Sequence, residues 1–361
     1  MIGVRKNKYH WRMPFNPRNP MSASPLPLQR YWDLAAAPVQ SAALDAALEL
    51  GVFEQLAAPA DAAQVAQALA LRPAAVTPLL DMLWSLGLLR RLEGEPPQYC
   101  CAPLAAQHFV PGQPGYCADA WRYRRRSLLH FSEQLGQLLP QDGPAMDPYV
   151  QPEAGAWANA ARVQIGQEQR AIAVAAAREA IACVPAAASA RRILDLGGGP
   201  GLIGIALVQD RPGATGVVFD WPATVTVAQE NIDAAGLADR MSVIGGDLAT
   251  ADIGHGYDLI WCSSVLHFVP DAQAALRKMH DALAPGGQLV IAHAEIPADA
   301  DAAARVLPFY LPMLLLGRRV TRTGDMAQAL RDAGLVDVRG FDADRFPMAP
   351  LRVLSARRGA Q

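Results

Sequence analysis

The stretch Ile193-Leu194-Asp195-Leu196-Gly197-Gly198-Gly199-Pro200-Gly201 constrains this chain more than any other. An apolar run closes on an acid and breaks into glycines, and Leu202-Ile203-Gly204-Ile205-Ala206-Leu207-Val208 then reads as a helix. Strand, glycine turn and helix form the opening unit of a nucleotide-binding α/β domain. From Arg191 onward, apolar runs at 192–196, 215–219, 241–245, 257–262, 287–293 and 336–341, and a last one near 351–356, alternate with helical segments. Such alternation predicts a mostly parallel sheet whose ligand sits beyond the carboxyl ends of its strands.

The chemistry of the turn decides what it can hold. Gly199-Pro200-Gly201-Leu202-Ile203-Gly204 fits the dinucleotide pattern G-x-G-x-x-G. Asp195 argues against that ligand, because a carboxylate at the mouth of the turn repels a pyrophosphate. The methionine part of S-adenosylmethionine (SAM) carries an ammonium group, so D-x-G-x-G-x-G over Asp195, Gly197, Gly199 and Gly201 suits SAM. The next run ends in Asp220, placed to accept from both ribose hydroxyls, although dinucleotide enzymes also carry an acid there. Ser242-Val243-Ile244-Gly245-Gly246 ends in Asp247, placed to accept from the adenine amino group, with Leu248 packing on the ring. Three acids at three successive strand ends are more specific than any one of them.

Length and composition narrow the partners. The 361 residues suffice for two domains and a large core. No apolar run reaches the ~18 residues of a membrane span. Val306 to Leu316 is too short and holds two prolines. A net charge of -2 gives no global attraction to nucleic acid or an anionic membrane. Five cysteines, without metal spacing, point to a reducing cytoplasm and to no metal. Residues Met1 to Pro20 carry Arg5, Lys6, Lys8, Arg12 and Arg18, no acid and no apolar signal core, and read as a disordered basic extension.

Gln29 to about Val110 reads as a small helical domain. Gln40–Leu50 has an apolar face at helical spacing, Asp61 N-caps a second helix, and Pro73 starts a third that runs to Leu86. Leu88 to Tyr99 then reads as a β-hairpin, so the whole is a winged helix. Its third helix carries one basic residue, Arg72 at its start, and the acid Asp81, and so lacks the side chains of a DNA-reading helix. Further on, Trp121-Arg122-Tyr123-Arg124-Arg125-Arg126 is either a solvated helix face or the source of one arginine that steers an anionic substrate. Ala154–Arg178 reads as a long helix with Trp157, Gln164, Gln167 and Gln169. The segment Ala300–Leu316, with Phe309, Tyr310 and Met313, is either a core helix or a lid over an apolar substrate.

With Leu194–Gly201, Val218-Phe219-Asp220-Trp221-Pro222, Gly245-Gly246-Asp247-Leu248 and Val265-Leu266-His267 in place, the chain resembles the dimeric, winged-helix small-molecule O-methyltransferases of bacteria and plants. The likeness runs from about Gln29 to the last strand. It implies an N-terminal, mainly α winged-helix dimerisation domain followed by a Rossmann-like class I SAM methyltransferase domain. After the extension at 1–20, these are a dimerisation domain at 21–115, a helical linker lining the substrate pocket at 116–190, and the SAM domain at 191–361. The resemblance also implies a homodimer, and Trp221 and Ser263 among the cofactor contacts. It places Trp157, Gln164, Phe309, Tyr310 and Met313 toward an aromatic substrate. It gives His267 the role of general base, with His293 beside it.

The chain departs from the family's pattern around that base. Phe268 and Val269 follow the histidine where members often carry an acid and an aromatic residue. His293 stands where a base-orienting glutamate is expected, and a second glutamate expected near Thr321–Thr323 is not found. Glu295 and Asp325 lie out of that register, and Ser263 replaces a lysine that contacts SAM in many relatives.

The expectation is a cytoplasmic, homodimeric SAM-dependent O-methyltransferase that acts on an aromatic or polyketide-like hydroxyl in bacterial secondary metabolism. S-adenosylhomocysteine (SAH) is its product, and neither nucleic acid nor membrane is a partner. The missing glutamates leave room for C- or N-methylation, or for a non-methylating SAM enzyme on the same fold. A SAM-sensing DNA-binding regulator is the remaining alternative. Holding two reactants in place is worth ~7–11 kcal/mol, whereas a general base adds ~10²–10⁴-fold, so an altered base is compatible with activity.

Overall fold

The computed structural model describes residues 28–140, Tyr149 and 155–360, and the extension expected at 1–20 lies outside the described residues. Two compact units divide between Ala118 and Asp119.

The first unit is helical with one small sheet. Its opening helix is Gln29–Glu49, which starts well before the expected Gln40 and runs through Pro38. Its buried residues, Leu44 and Ala47, lie in the later half, and only that half shows a buried periodicity. Asp61 caps the helix Ala62–Ala68 with a capping box. Gln64 N donates to its carboxylate at 2.8 Å, and Asp61 N donates to the Gln64 side chain at 2.9 Å, which satisfies two orphan amides at once. Pro73 opens the helix Pro73–Ser85, where a missing N–H leaves no bond unmade. Strands β1 (Ala60–Asp61), β2 (Leu89–Leu92) and β3 (Gln98–Cys101) pair in the order β1-β3-β2, with β2 and β3 as the wing.

The second unit is built on β4 (Arg192–Leu196), β5 (Thr215–Asp220), β6 (Met241–Gly245), β7 (Tyr257–Ser263) and β8 (Leu283–His293). After a separate two-stranded pair, β9 (Glu295–Ile296) with β10 (Thr321–Arg322), come β11 (Val336–Ala343) and β12 (Leu351–Arg357). The seven-stranded sheet has the order β11-β12-β8-β7-β4-β5-β6, parallel from β8 to β6 and antiparallel at β12. Chain direction switches sides at β4, so the glycine turn opens where an open α/β sheet binds its ligand. Successive strand residues supply opposite faces. Ile193, Trp261 and Val290 belong to one apolar layer, and Leu194, Ile260 and Leu289 to the other.

Two elements differ from the sequence expectation. Pro285-Gly286-Gly287, at the start of the run expected at 287–293, lies within a strand that begins at Leu283. It is an irregularity inside β8, between the pairs Leu283–Tyr257 and Gln288–Leu259, with Gly286 at φ 81°. The long helix starts at Ala156 and ends at Ala182, and two π-helical segments, Ala161–Ile165 and Gln169–Ala173, flank Gly166–Glu168. Single-turn π segments widen a helix and often sit at functional sites.

Candidate active site

The glycine turn is held from behind by its own acids. Gly197 has φ 66°, and a Cβ there would overlap Val265, so no other residue fits. Asp195, 2% exposed, accepts from Gly204 N at 2.8 Å. Asp220 accepts from Gly199 N at 2.8 Å through Oδ2 and from Trp221 N at 2.7 Å through Oδ1. Burial pushes the Asp195 carboxyl up to about 7 against the amide of Gly204, and the charge of Asp220 adds to the rise. Burial raises Asp220 as well.

This geometry separates the two ligands that the sequence left in play. A pyrophosphate needs the amides at the turn and helix start, yet those of Gly199 and Gly204 already donate to carboxylates. The half-buried Asp220 at the end of β5 puts a carboxylate at the turn in place of those amides, so the residues fit SAM. One expectation is corrected in detail: Asp195 does not stand at the mouth of the turn. It is folded beneath the loop onto the following helix.

Asp247, half-buried, accepts from Ala249 N at 2.9 Å. Leu248, expected to pack on the adenine ring, is 7% exposed in the layer with Ile253 and Tyr257. Its carbonyl accepts from Lys278 Nζ at 2.7 Å. Trp221 stands at the N-cap of the helix Pro222–Ala234, and Ser263 ends β7. Gln169 is an unforeseen member. It is 8% exposed on the second π segment, donates through Nε2 to Gly198 O at 3.1 Å, and accepts through Oε1 from Leu202 N at 3.1 Å. The sequence showed it only as one of several glutamines on a helix.

The reacting end lies at the carboxyl ends of β7 and β8. Ser264, at φ 56°, breaks β7 while its amide donates to Ala292 O at 2.9 Å. A non-glycine residue held in that region marks local strain of the kind concentrated at functional sites. The break feeds the short turn Leu266–Phe268, which carries His267. The His267 ring lies 5.2 Å from His293, 4.3 Å from Phe268 and 5.7 Å from Tyr310, centroid to centroid. Both histidines are buried, and neither Nδ1 has a hydrogen-bond partner among the described residues. Burial holds His267 well below the usual imidazole range, with further lowering from His293, Arg318 and Arg124. Burial alone takes His293 down to about 4. Both rings are therefore neutral at pH 7 and able to accept a proton.

Aromatic and charged groups frame this pair. Trp157 meets Phe268 edge-on at 5.0 Å. Tyr310 is buried, and burial pushes its hydroxyl up to about 12, offset in part by the charge of Arg124 and by a hydrogen bond with Ser264. Gln164, 4% exposed, sits against the bidentate pair Arg124–Glu168 (2.8 and 2.9 Å). With its amide oxygen toward Arg124, it accepts from Nε at 3.0 Å. One arginine of the 122–126 cluster thus faces the site. Phe309 and Met313 pack on the layer that holds Trp261 and Val290, and the helix Ala300–Leu315 docks through Ala303, Val306 and Tyr310. It is a core helix rather than a free lid. Glu295 is committed elsewhere, accepting from Gly324 N and Met326 N at the start of the helix Asp325–Asp332. The Cys262 thiol, buried and pushed up to about 12, is inert.

Fold and site together define a SAM-binding Rossmann-like enzyme preceded by a helical unit. Comparison with known proteins refines that class. The family profile for an O-methyltransferase domain matches residues 158–336, and that for an O-methyltransferase dimerisation domain matches residues 32–110. The chain is 32% identical over 321 residues to 3-hydroxy-5-methyl-1-naphthoate 3-O-methyltransferase of Streptomyces sahachiroi, covering 85% of this chain and 89% of that one. It is 29% identical over 316 residues to tetracenomycin polyketide synthesis 8-O-methyl transferase TcmO of Streptomyces glaucescens, covering 83% and 88%. The structure of human N-acetylserotonin methyltransferase in complex with SAM superposes with a TM-score of 0.72 at 22% identity, over 94% of this chain and all of that one. The chain belongs to the O-methyltransferase family. It is a SAM-dependent methyltransferase that carries the family's dimerisation domain and forms a homodimer. No described helix is long and apolar enough to cross a membrane.

Proposed function

We propose that this protein methylates a hydroxyl group of an aromatic or polyketide-like small molecule in the cytoplasm, as a step of secondary metabolism. The observation that carries this reading is the neutral, buried His267, framed by Phe268, Trp157 and Tyr310 at the strand ends beside the glycine turn. The naphthoate and polyketide named for the two Streptomyces relatives support the substrate class. Residues 21–115 dimerise, 116–190 line the pocket and 191–361 hold the cofactor. Asp220 and Asp247 hold the ribose and adenine ends, Gly197, Gly199 and Gly201 let the backbone approach the ligand, and Asp195 keeps the turn in shape. When bound, SAM supplies an electrophilic methyl group on a sulfonium.

His267 takes the acceptor's proton, and His293 lies beside it. Among the described residues no carboxylate bonds the imidazole Nδ1, and Arg124 and Arg318 disfavour the protonated form of the ring. A base of that kind suits an acidic hydroxyl, such as a phenol, because proton transfer works best when donor and base are matched. Positioning then supplies most of the acceleration. The same lack of a carboxylate favours, as a second reading, C- or N-methylation of an electron-rich ring substituent.

The test is product analysis. Incubation with SAM and a panel of hydroxyarenes should give products heavier by one methyl, located on oxygen by NMR. His267→Ala should lower kcat by ~10²–10⁴-fold and leave SAH affinity unchanged by calorimetry. Wild-type turnover in that variant would remove the base assignment, and a methyl found on carbon or nitrogen would select the second reading.

A further inference from the structure

The loop that carries Asp247 is held by a lysine from another element. Within the loop, the Asp247 carbonyl accepts from Thr250 N at 3.0 Å and from Ala251 N at 2.7 Å. Its carboxylate accepts from Ala249 N through Oδ1 at 2.9 Å, which leaves Oδ2 for a ligand. The carbonyls of Leu248 and Ala251 are bound from outside the loop. Both accept from Lys278 Nζ, at 2.7 and 2.9 Å. Lys278 stands on the helix Ala272–Ala282, whose first turn is capped by Asp271, with Ala274 N donating to the carboxylate at 2.8 Å. Buried Ala275, Leu276, Met279 and Ala282 anchor that helix. The ammonium thus reaches the loop from a fixed element.

The residue type shows what this contact requires. Lys278 is the only lysine among the described residues, and the long basic side chains elsewhere in them are arginines. Two carbonyls that converge on one point suit a compact ammonium with three rotatable donors, whereas a guanidinium spreads its donors along a rigid fork. Bonds from a cation to carbonyls are charge-assisted and stronger than neutral ones. The bonds inside the loop fix its shape, because they join neighbours in sequence. Its position depends on longer ties, which are the Leu248 side chain in the core and the two bonds from Lys278.

We propose that Lys278 is a positioning residue for the cofactor: by clamping the carbonyls of Leu248 and Ala251, it holds the Asp247 carboxylate ready for the adenine amino group of SAM. The proposal rests on the reading that Asp247 binds the adenine end. Lys278 acts through Asp247 and adds no covalent step. A loop ordered before the ligand arrives leaves less ordering to be done on binding, which raises affinity without a new contact. The contribution is to binding alone, so its loss raises KM for SAM and leaves kcat as it was.

The experiment is calorimetric titration of the full-length protein with two ligands, SAH and S-inosylhomocysteine, in which an oxygen replaces the adenine amino group. Wild type should bind SAH about 10- to 100-fold more tightly than the analogue, the range of a hydrogen bond to a charged group. In Lys278→Met, SAH affinity should fall to near that of the analogue, while the analogue binds as it does to wild type. A lysine that served only the stability of the fold would weaken both ligands alike or neither. Lys278→Arg, which keeps the charge and loses the compact head, should recover part of the preference. Lys278→Gln keeps one donor and carries the test if Lys278→Met does not fold, with an intermediate preference expected. The full wild-type preference in Lys278→Met or in Lys278→Gln, or an equal loss for both ligands, would overturn the proposal and leave Asp247 as the adenine contact. Wild type that binds SAH and the analogue equally well would remove the adenine role of Asp247, and the role of Lys278 with it.

Discussion

Burial of ionisable side chains is the main device at the scale of single residues. His293 titrates at about 4 in the folded chain because burial penalises its charged form, against ~6.5 in an unfolded one. A base whose folded pKa is depressed stabilises the fold fully above the unfolded pKa and loses that contribution as pH falls. Between pH 6.5 and 4 the unfolded chain binds a proton that the native one refuses. The loss approaches 3 kcal/mol at ~1.4 kcal/mol per pKa unit. Asp195 acts in the opposite sense. Its raised pKa makes the native state the better proton binder below about 7, so its term weakens as pH rises. Comparison of wild type with His293→Gln cancels the aspartate. Urea unfolding should show the stability difference between the two proteins shifting by about 3 kcal/mol, in favour of the variant, from pH 7 to pH 4. A difference that stays flat would mean that His293 is not held neutral in the native state.

At the scale of elements, the two π segments bring the helix from Ala156 to Ala182 onto the glycine turn. Gln169 lies five residues after Gln164, a spacing that a regular helix turns to different faces. In the widened helix Gln164 reaches the Arg124–Glu168 pair, while Gln169 bonds both sides of the glycine loop. Gln169→Leu removes two hydrogen bonds at a buried site, each worth about 0.5–1.5 kcal/mol. SAH titration should show affinity weaker by about 5- to 100-fold, and hydrogen exchange at Gly198 and Leu202 should quicken. Unchanged affinity would make Gln169 a packing residue only. Here too lies the limit of what the sequence shows. The seven sheet strands were legible to within a residue or two at most ends, because each is an apolar run closed by turn residues. Asp195, Asp220 and Asp247 were legible because each ends such a run. Gln169 and Ser264 were not, because a π insertion and a strained φ leave no periodic trace.

At the scale of the whole molecule, the first unit keeps apolar surface that a monomer has no use for. Tyr31, Trp32, Leu34 and Val39, on the opening half of the helix Gln29–Glu49, are each at least 60% exposed. The matched dimerisation domain begins at residue 32, within this run. Exposed aromatics of this density are the anchors expected of an obligate interface, and they explain why helical periodicity was weak before Gln40: this half buries nothing among the described residues. Replacing both Tyr31 and Trp32 with Glu puts two charges where a dimer excludes water. Sedimentation should then give 38.5 kDa in place of twice that mass. Every group placed around the cofactor, from Gln169 to Ser263, belongs to the second unit, so SAH should bind the monomer as tightly as the dimer. A variant that remained dimeric would move the interface to another face of the first unit. One that lost SAH affinity along with its partner would show that the cofactor site is not self-sufficient, and that dimerisation shapes the glycine turn as well as the assembly.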